Sequence, residues 1–461
     1  AAVHGCTAVG PRRWHCVAPA APSSRDGLAG ATWPPGSSAT VGFGRVEKGG
    51  NAFDAAVACG FVLQVVEPHL NGPAGDLPVI FHAADEDRTE VVCGQGVTPA
   101  GATIAHYRAQ GLGLIPGSGL LATVVPGAFD GWMLMLRDHG SLSLREVLEP
   151  AIGYARHGPP VTPRVSNTIK DLAEYFAREW PSSAAVWTPE GRAPEPHALF
   201  RNPDLARTYE RLLHEAEAAS GDRKGQIDTA REIWRNGFVA ETIAEFLEEA
   251  CLHDVSGQKN RAVLTAADLA GWSASYDETL SYDYHGWTVH KTQCWSQGPV
   301  FLQCLAILKH FDLAAMDPMG AEFTHTVVEA MKLAFADREA YYGDPAHCEV
   351  PMEVLLSDAY NVDRAALIEP RASREQRPGV IEGQEHLAVA YIERAAREFD
   401  ALATTSAKRP HPTEKRGDTV HLDVIDRWGN MVSATPSGGW LQRSPRVQGL
   451  GFRTNWRAQR F

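Results

Sequence analysis

From Gly49-Gly50-Asn51 onward the chain changes character: AFDAAVACGFVLQVVEP carries small and apolar residues at the density of a buried helix, and Glu67-Pro68 stops it. LPVIFHAA and TEVVCG follow, each β-branched or aromatic with polar residues between them, which predicts two short strands of a hairpin. Over 142–157 (LSLREVLEPAIGYARH), Leu144, Val147, Leu148 and Ile152 recur near helical spacing until Gly158-Pro159-Pro160. Further helices are expected over 204–218, 237–252, 300–311 and 321–342. In the last, Phe323, Val327, Met331 and Phe335 recur every four residues and predict one core-facing stripe. TLSYDYHGWTVHKT alternates aromatic and β-branched residues as paired strands do. DTVHLDVIDRWGNMVSAT predicts two more strands around the tight turn Arg427-Trp428-Gly429-Asn430. Helices and strands mixed without regular βαβ alternation predict a layered α+β protein.

Two stretches interrupt this pattern. Residues 1–46 are rich in Pro, Gly, Ser and Ala with little periodicity and read as a loosely held arm; 398–418 (EFDALATTSAKRPHPTEKRGD) is polar and Pro-containing and reads as a mobile linker delivering the chain to Thr419. At 461 residues, with 44% hydrophobic and 21% charged residues, the chain is composed like a folded globular protein. Its net charge of −13 and the lack of a basic stripe with interleaved aromatics exclude nucleic acid as the expected partner. Eight scattered cysteines without a CxxC pair suit a reduced, cytoplasmic setting. Arg12-Arg13 is not followed by the apolar run of an export signal, and no apolar run reaches the ~20 residues that would span a bilayer.

Common motifs fail on their chemistry. GLGLIPGSG has Pro116 where a dinucleotide loop needs its third glycine and reads as a surface loop; GxxxxGK[ST] and HExxH are absent, and no metal or cofactor is expected. Cys294-Trp295-Ser296-Gln297-Gly298 approaches the GxSxG nucleophile elbow but lacks its first glycine, which leaves Ser296 as a secondary candidate nucleophile for a serine hydrolase.

The informative segment is Asp418-Thr419-Val420-His421, where the polar linker meets a strand. Together with the following turn, DTVHLDVIDRWGNMVSAT resembles the region of γ-glutamyltranspeptidases in which a precursor cuts itself before a Thr, giving a small subunit that opens Thr-x-His and reaches an Asp-x-x-Gly-Asn turn. The likeness runs from about residue 46 to 461 with motifs in family order: GGNAFDAAVA and VVEP, VPGAFDGW with GSLSLREVLEPAIGYARHG, LTAADLAGW, WSQGPVFLQCLAIL, and EAMKLAFADREAYYGDP. WSQGPV and TPSGGWLQ look closer to the transpeptidase-like branch than to glutathione-cleaving enzymes.

This resemblance implies a single four-layer αββα domain of the N-terminal-nucleophile hydrolase type. Residues 47–418 would form its large-subunit region, 419–461 the start of its small-subunit region, and the two fragments would stay associated after cleavage, with room for a homodimer. It also implies self-cleavage between Asp418 and Thr419. An N-terminal Thr carries its own base, because its free α-amine, with a reference pKa of about 7.7–8.0, can take the hydroxyl proton. Thr419 would then form an acyl-enzyme with a γ-glutamyl-like amide and pass the acyl group to water or an amine. By position Thr435 resembles a family Thr that hydrogen-bonds near the nucleophile, and Ser437 and Gly439 stand where the family commonly has Thr and Asn. His421 reads as a structural histidine, since an N-terminal Thr needs no second base. Two departures bear on substrate and activity. Gln95 stands where the family has an Arg for the substrate α-carboxylate, and an amide has no charge to offer it. Family small subunits are several times longer than 419–461, so the chain reads as C-terminally truncated, with the oxyanion-hole glycines beyond Phe461 and activity in doubt; an inactive scaffold is the alternative.

Overall fold

The computed structural model describes residues 36–404, 419–438, 440–455 and 457–460. Among these the chain forms two compact units, one of 36–276 with 419–460 and one of 277–404.

The first unit opens with α1 (Gly36–Glu47), inside the stretch expected as a loose arm. Its Val41 and Val46 pack on the core, and Gly42 lies close enough to the next helix that a Cβ there would stand 3.3 Å from the Ala55 carbonyl oxygen. Small residues that read as a loosely held arm along the chain are what let the two helices approach. That next helix, α2 (Ala52–Val66), is buried at every position. Asn51 caps it, accepting from the amides of Phe53 and Asp54, while Asp54 returns a bond to the Asn51 amide.

Strands β1 (Leu77–Ala83) and β2 (Arg88–Gly94) pair antiparallel as predicted. Helices α3 (Ala128–His139) and α4 (Leu144–His157) follow, the latter with a Ser143/Glu146 capping box. The sheet is completed by β3 (Ser275–Glu278) and, far along the chain, β6 (Leu422–Ile425) and β7 (Met431–Ala434), in the order β3-β2-β1-β7-β6. On one face, Leu77, Val79, Phe81, Ala83, Leu422, Val424, Val432 and Ala434 are buried in one core with α2 and α3. The ring of Phe53 meets Phe81 edge-on at 5.6 Å, and Phe129 stacks on Trp234 at 4.3 Å. The opposite face is half-exposed at most positions and mixed in character, with Pro78, Ile80, Ile425 and Met431 beside His82, Asp423 and Ser433.

In the second unit, β4 (Leu280–Tyr284) and β5 (Trp287–Lys291) form the expected hairpin, and α5 (Gly298–Leu308) packs on α6 (Ala321–Tyr341). The four-residue stripe of α6 only borders its inner face: Met331 is 42% exposed and Phe323 half-buried, while the half-buried Val327 and Phe335 pack against the edge of the core. A strict spacing of four drifts about 40° per step around a 3.6-residue helix, so these residues do not share one line. The buried line runs through Thr326, Glu329, Ala330, Leu333, Ala334 and Asp337. Its acids are paired: Asp337 accepts from Arg364 and Gln303, and Glu329 from Lys332 and Arg377. Helix α7 (Glu385–Thr404) continues through 398–404, the beginning of the stretch expected as a linker; the rest of that stretch, 405–418, lies outside the described residues. Among the described residues no helix is long and apolar enough to cross a membrane.

Candidate active site

The hairpin β6–β7 is fastened at both ends. At its turn, Asp426 accepts from the amides of Trp428 (2.9 Å) and Asn430 (3.0 Å), from the Asn430 side chain (2.8 Å), and from the Ala52 amide at the first turn of α2 (2.9 Å). Asn430 in turn accepts from the Ala84 amide after β1, and Gly429 takes the φ of +94° that the turn requires. An Asp-x-x-Gly-Asn turn thus ties the hairpin to a helix N-terminus, where a carboxylate is electrostatically favoured. At the other end, Ser437 exchanges both backbone hydrogen bonds with Asp76, and the Gly438 amide donates to the Leu70 carbonyl. No side chain fits there. A Cβ on Gly75 would sit 1.7 Å from the Ser437 carbonyl oxygen, and one on Gly438 would sit 2.1 Å from the Gly72 nitrogen.

These fastenings fix a register. Leu422 faces Ala434 and Asp423 faces Ser433, so continuing the ladder sets His421 opposite Thr435 and Thr419 opposite Ser437. On the far side Asp76 is bridged to Ser437, and Leu77 faces Gly94, which puts Gln95 beside Asp76. One row therefore crosses four chain segments: Gln95, Asp76, Ser437, Thr419. It lies on the face opposite the core, because successive side chains alternate and the intervening row belongs to the core.

Within that row Thr419 is exposed, whereas Asp76, Ser437 and Gln95 are buried. The Ser437 hydroxyl accepts from Arg457 Nη2 (2.7 Å), and Arg457 Nε donates to Asp76 Oδ1 (2.9 Å). A guanidinium only donates, so Ser437 keeps its own proton to give to a group across the row. Arg453, in the same segment, is fully buried and donates to the Pro68 carbonyl; burial pulls its pKa down to about 9. One row further, Thr435 Oγ1 is 2.7 Å from His421 Nδ1, and His421 Nε2 is 3.0 Å from Asp423 Oδ1. A carboxylate accepts only, so Nε2 carries the imidazole proton; in the neutral ring Nδ1 then accepts from the Thr435 hydroxyl.

The structure thus brings Thr419, Ser437, Thr435 and Gln95 onto one face, and Asp418 and Gly439 lie outside the described residues. Ser296 belongs to the other unit. Its hydroxyl is engaged by Thr292 and accepts from the Gly298 amide (3.1 Å), which is a turn-forming role. Sequence reasoning missed Asp423, Asp76 and Arg457. The period-2 spacing of Thr419, His421 and Asp423 is a signal that could have found the first. Arg457 and Asp76 are 381 residues apart and carry no local signal.

This arrangement sits in a chain that matches a known family along most of its length. The family model described as Gamma-glutamyltranspeptidase matches residues 38–461, and the chain belongs to that family. The glutathione hydrolase-like YwrD proenzyme of Bacillus subtilis is 31% identical over 389 residues, 84% of this chain and 62% of that protein. The chain therefore spans less than two thirds of that relative's length. Among solved structures, LmbA2991HD is 47% identical with a TM-score of 0.83, covering 95% of this chain and 73% of that one. Cephalosporin acylase from Bacillus halodurans is 27% identical with a TM-score of 0.74, covering 95% and 72%. The fold is the α+β fold of these N-terminal-nucleophile hydrolases.

Proposed function

We propose that the protein is a self-processing amide hydrolase or acyltransferase that uses Thr419 first on its own chain and then on a γ-glutamyl-like or related amide. The observation that carries this reading is the row on the face opposite the core, where an exposed Thr419 enters a strand opposite the buried, arginine-anchored Ser437. In the first step Thr419 Oγ adds to the Asp418 carbonyl carbon and the peptide C–N bond breaks. The hydroxyl proton ends on the new α-amine, and water then hydrolyses the ester, leaving a carboxyl on Asp418 and a free Thr419 hydroxyl. In turnover the α-amine takes the Oγ proton, an acyl-enzyme forms as the substrate amine leaves, and water or an amine accepts the acyl group. The two fragments stay together because β7 remains hydrogen-bonded to β1. Relatives named as glutathione hydrolase and acylase proenzymes support a self-processing amide-cleaving chemistry. Gln95, neutral and buried at the edge of the row, favours amides that lack an α-carboxylate.

Intact mass and N-terminal sequencing of the full-length protein test this. A fragment beginning at Thr419 is expected, and Thr419→Ala should leave one uncut chain. Efficient cutting of that variant at the same bond would remove Thr419 from the chemistry.

A further inference from the structure

An N-terminal Thr supplies its own base only once it is N-terminal. Before cleavage the nitrogen of Thr419 is an amide with no lone pair to lend, so the first attack needs a proton acceptor that later turnovers do not. The face of the sheet opposite the core offers one. His421 stands two residues along the same face, and its ring bridges Thr435 Oγ1 at 2.7 Å and Asp423 Oδ1 at 3.0 Å. Ser433 Oγ is 3.5 Å from Nε2, too far to displace the carboxylate. Asp423 holds the tautomer that leaves Nδ1 basic, and Nδ1 faces the Thr435 hydroxyl. Thr435 is the diagonal neighbour of Thr419 in the continued register, and such pairs lie about 7–8 Å apart at the backbone, with side chains closer. One hydroxyl, or one hydroxyl and a water, spans that gap.

We infer that His421, oriented by Asp423, is the general base of the self-cleavage step and acts through the hydroxyl of Thr435. The inference rests on the proposed role of Thr419. As Thr419 Oγ bonds to the Asp418 carbonyl carbon, its proton passes to Thr435 Oγ1 and the Thr435 proton passes to His421 Nδ1. The imidazolium is stabilised by Asp423 across Nε2–H. When the C–N bond breaks, the proton returns along the same path to the departing nitrogen of Thr419, which becomes the α-amine. The hydroxyl of Thr435 and the neutral imidazole are restored, and no other reactant is needed besides the water that opens the ester. From then on the α-amine does the work of the base, and His421 is left as a partner of Thr435 and Asp423. The assignment gives His421 a chemical task where the sequence suggested a structural one.

The test is the rate of self-cleavage of full-length precursor made in a cell-free system, followed by mass. His421→Ala should slow cleavage by about 10²–10⁴-fold, the usual contribution of a positioned base. Added imidazole should restore it in proportion to the concentration of the neutral form, which a merely structural role would not allow. Asp423→Asn keeps the shape of the pair, removes its charge, and should slow cleavage at least about tenfold, a guard against a His421→Ala chain that fails to fold. Wild-type rates in both variants would overturn the inference, as would a slow His421→Ala precursor that imidazole leaves unchanged although Asp423→Asn cuts normally. Cutting in Thr419→Ala would sink the underlying reading instead, and the two failures are thereby distinguished.

Discussion

The two faces of the five-stranded sheet are made of the same strands, yet they do different things. Odd-numbered positions of β1 and even-numbered positions of β6 and β7 form a face that is apolar and buried against α2 and α3. The alternate positions carry Thr419, His421, Asp423, Ser433, Thr435 and Ser437 on the other. Because a strand alternates its side chains, the residues that stabilise the sheet and the residues that react are separated by one position and share a backbone. Substitutions on the reactive face should therefore leave the fold intact while changing chemistry, and substitutions on the core face should do the reverse.

The strongest challenge to this division is Phe81→Ala, on the core face. It should destabilise the protein by about 3–5 kcal/mol by opening a cavity against Phe53, measured by denaturant unfolding; a loss below about 1 kcal/mol would mean that this face is not the load-carrying core. Next comes the reactive face at its buried edge. With Gln95 in place of an arginine, a γ-glutamyl anilide should be cleaved about ten- to a hundredfold less efficiently than its carboxylate-free analogue, equivalent to about 1.5–3 kcal/mol. Equal kcat/KM for the two would remove Gln95 from substrate selection. The fastening between the faces is weaker again: Asp426→Asn turns an amide NH₂ toward the Ala52 and Asn430 donors and should cost about 1–3 kcal/mol, read as a lowered Tm. Ser433→Ala, half-exposed on the reactive face, should shift stability by no more than about 0.5 kcal/mol. A larger loss there would show the reactive face sharing in the core.

Much of this was legible in the chain. The apolar run LPVIFHAA, the alternation in HLDVI, the turn at Asp426 to Asn430, and the capped helix after Asn51, apolar but for Asp54 and Gln64, each arise from contacts within a few residues, so local patterns report them directly. Thr419, Thr435 and Ser437 were singled out differently, by the resemblance of one short segment to a known family. Helix α1 was hidden because its small, weakly periodic residues are chosen by the close approach of α2, not by helix propensity. The inner face of α6 was hidden because Glu329 and Asp337 look like surface residues until Arg377 and Arg364 arrive from later in the chain to pair with them.

By itself, then, the sequence determined most of the strands and the two-residue alternation that gives each an inner and an outer face, since these depend on neighbours within a turn or a strand, while the candidate nucleophile was singled out by the resemblance of its segment to a known family. The tertiary structure alone decided that Gln95, Asp76, Ser437 and Thr419 form one row and that Arg457 anchors it to Asp76 from 381 residues away. Register between strands that are distant along the chain is set by where the intervening helices and turns dock them, and no local period records that distance.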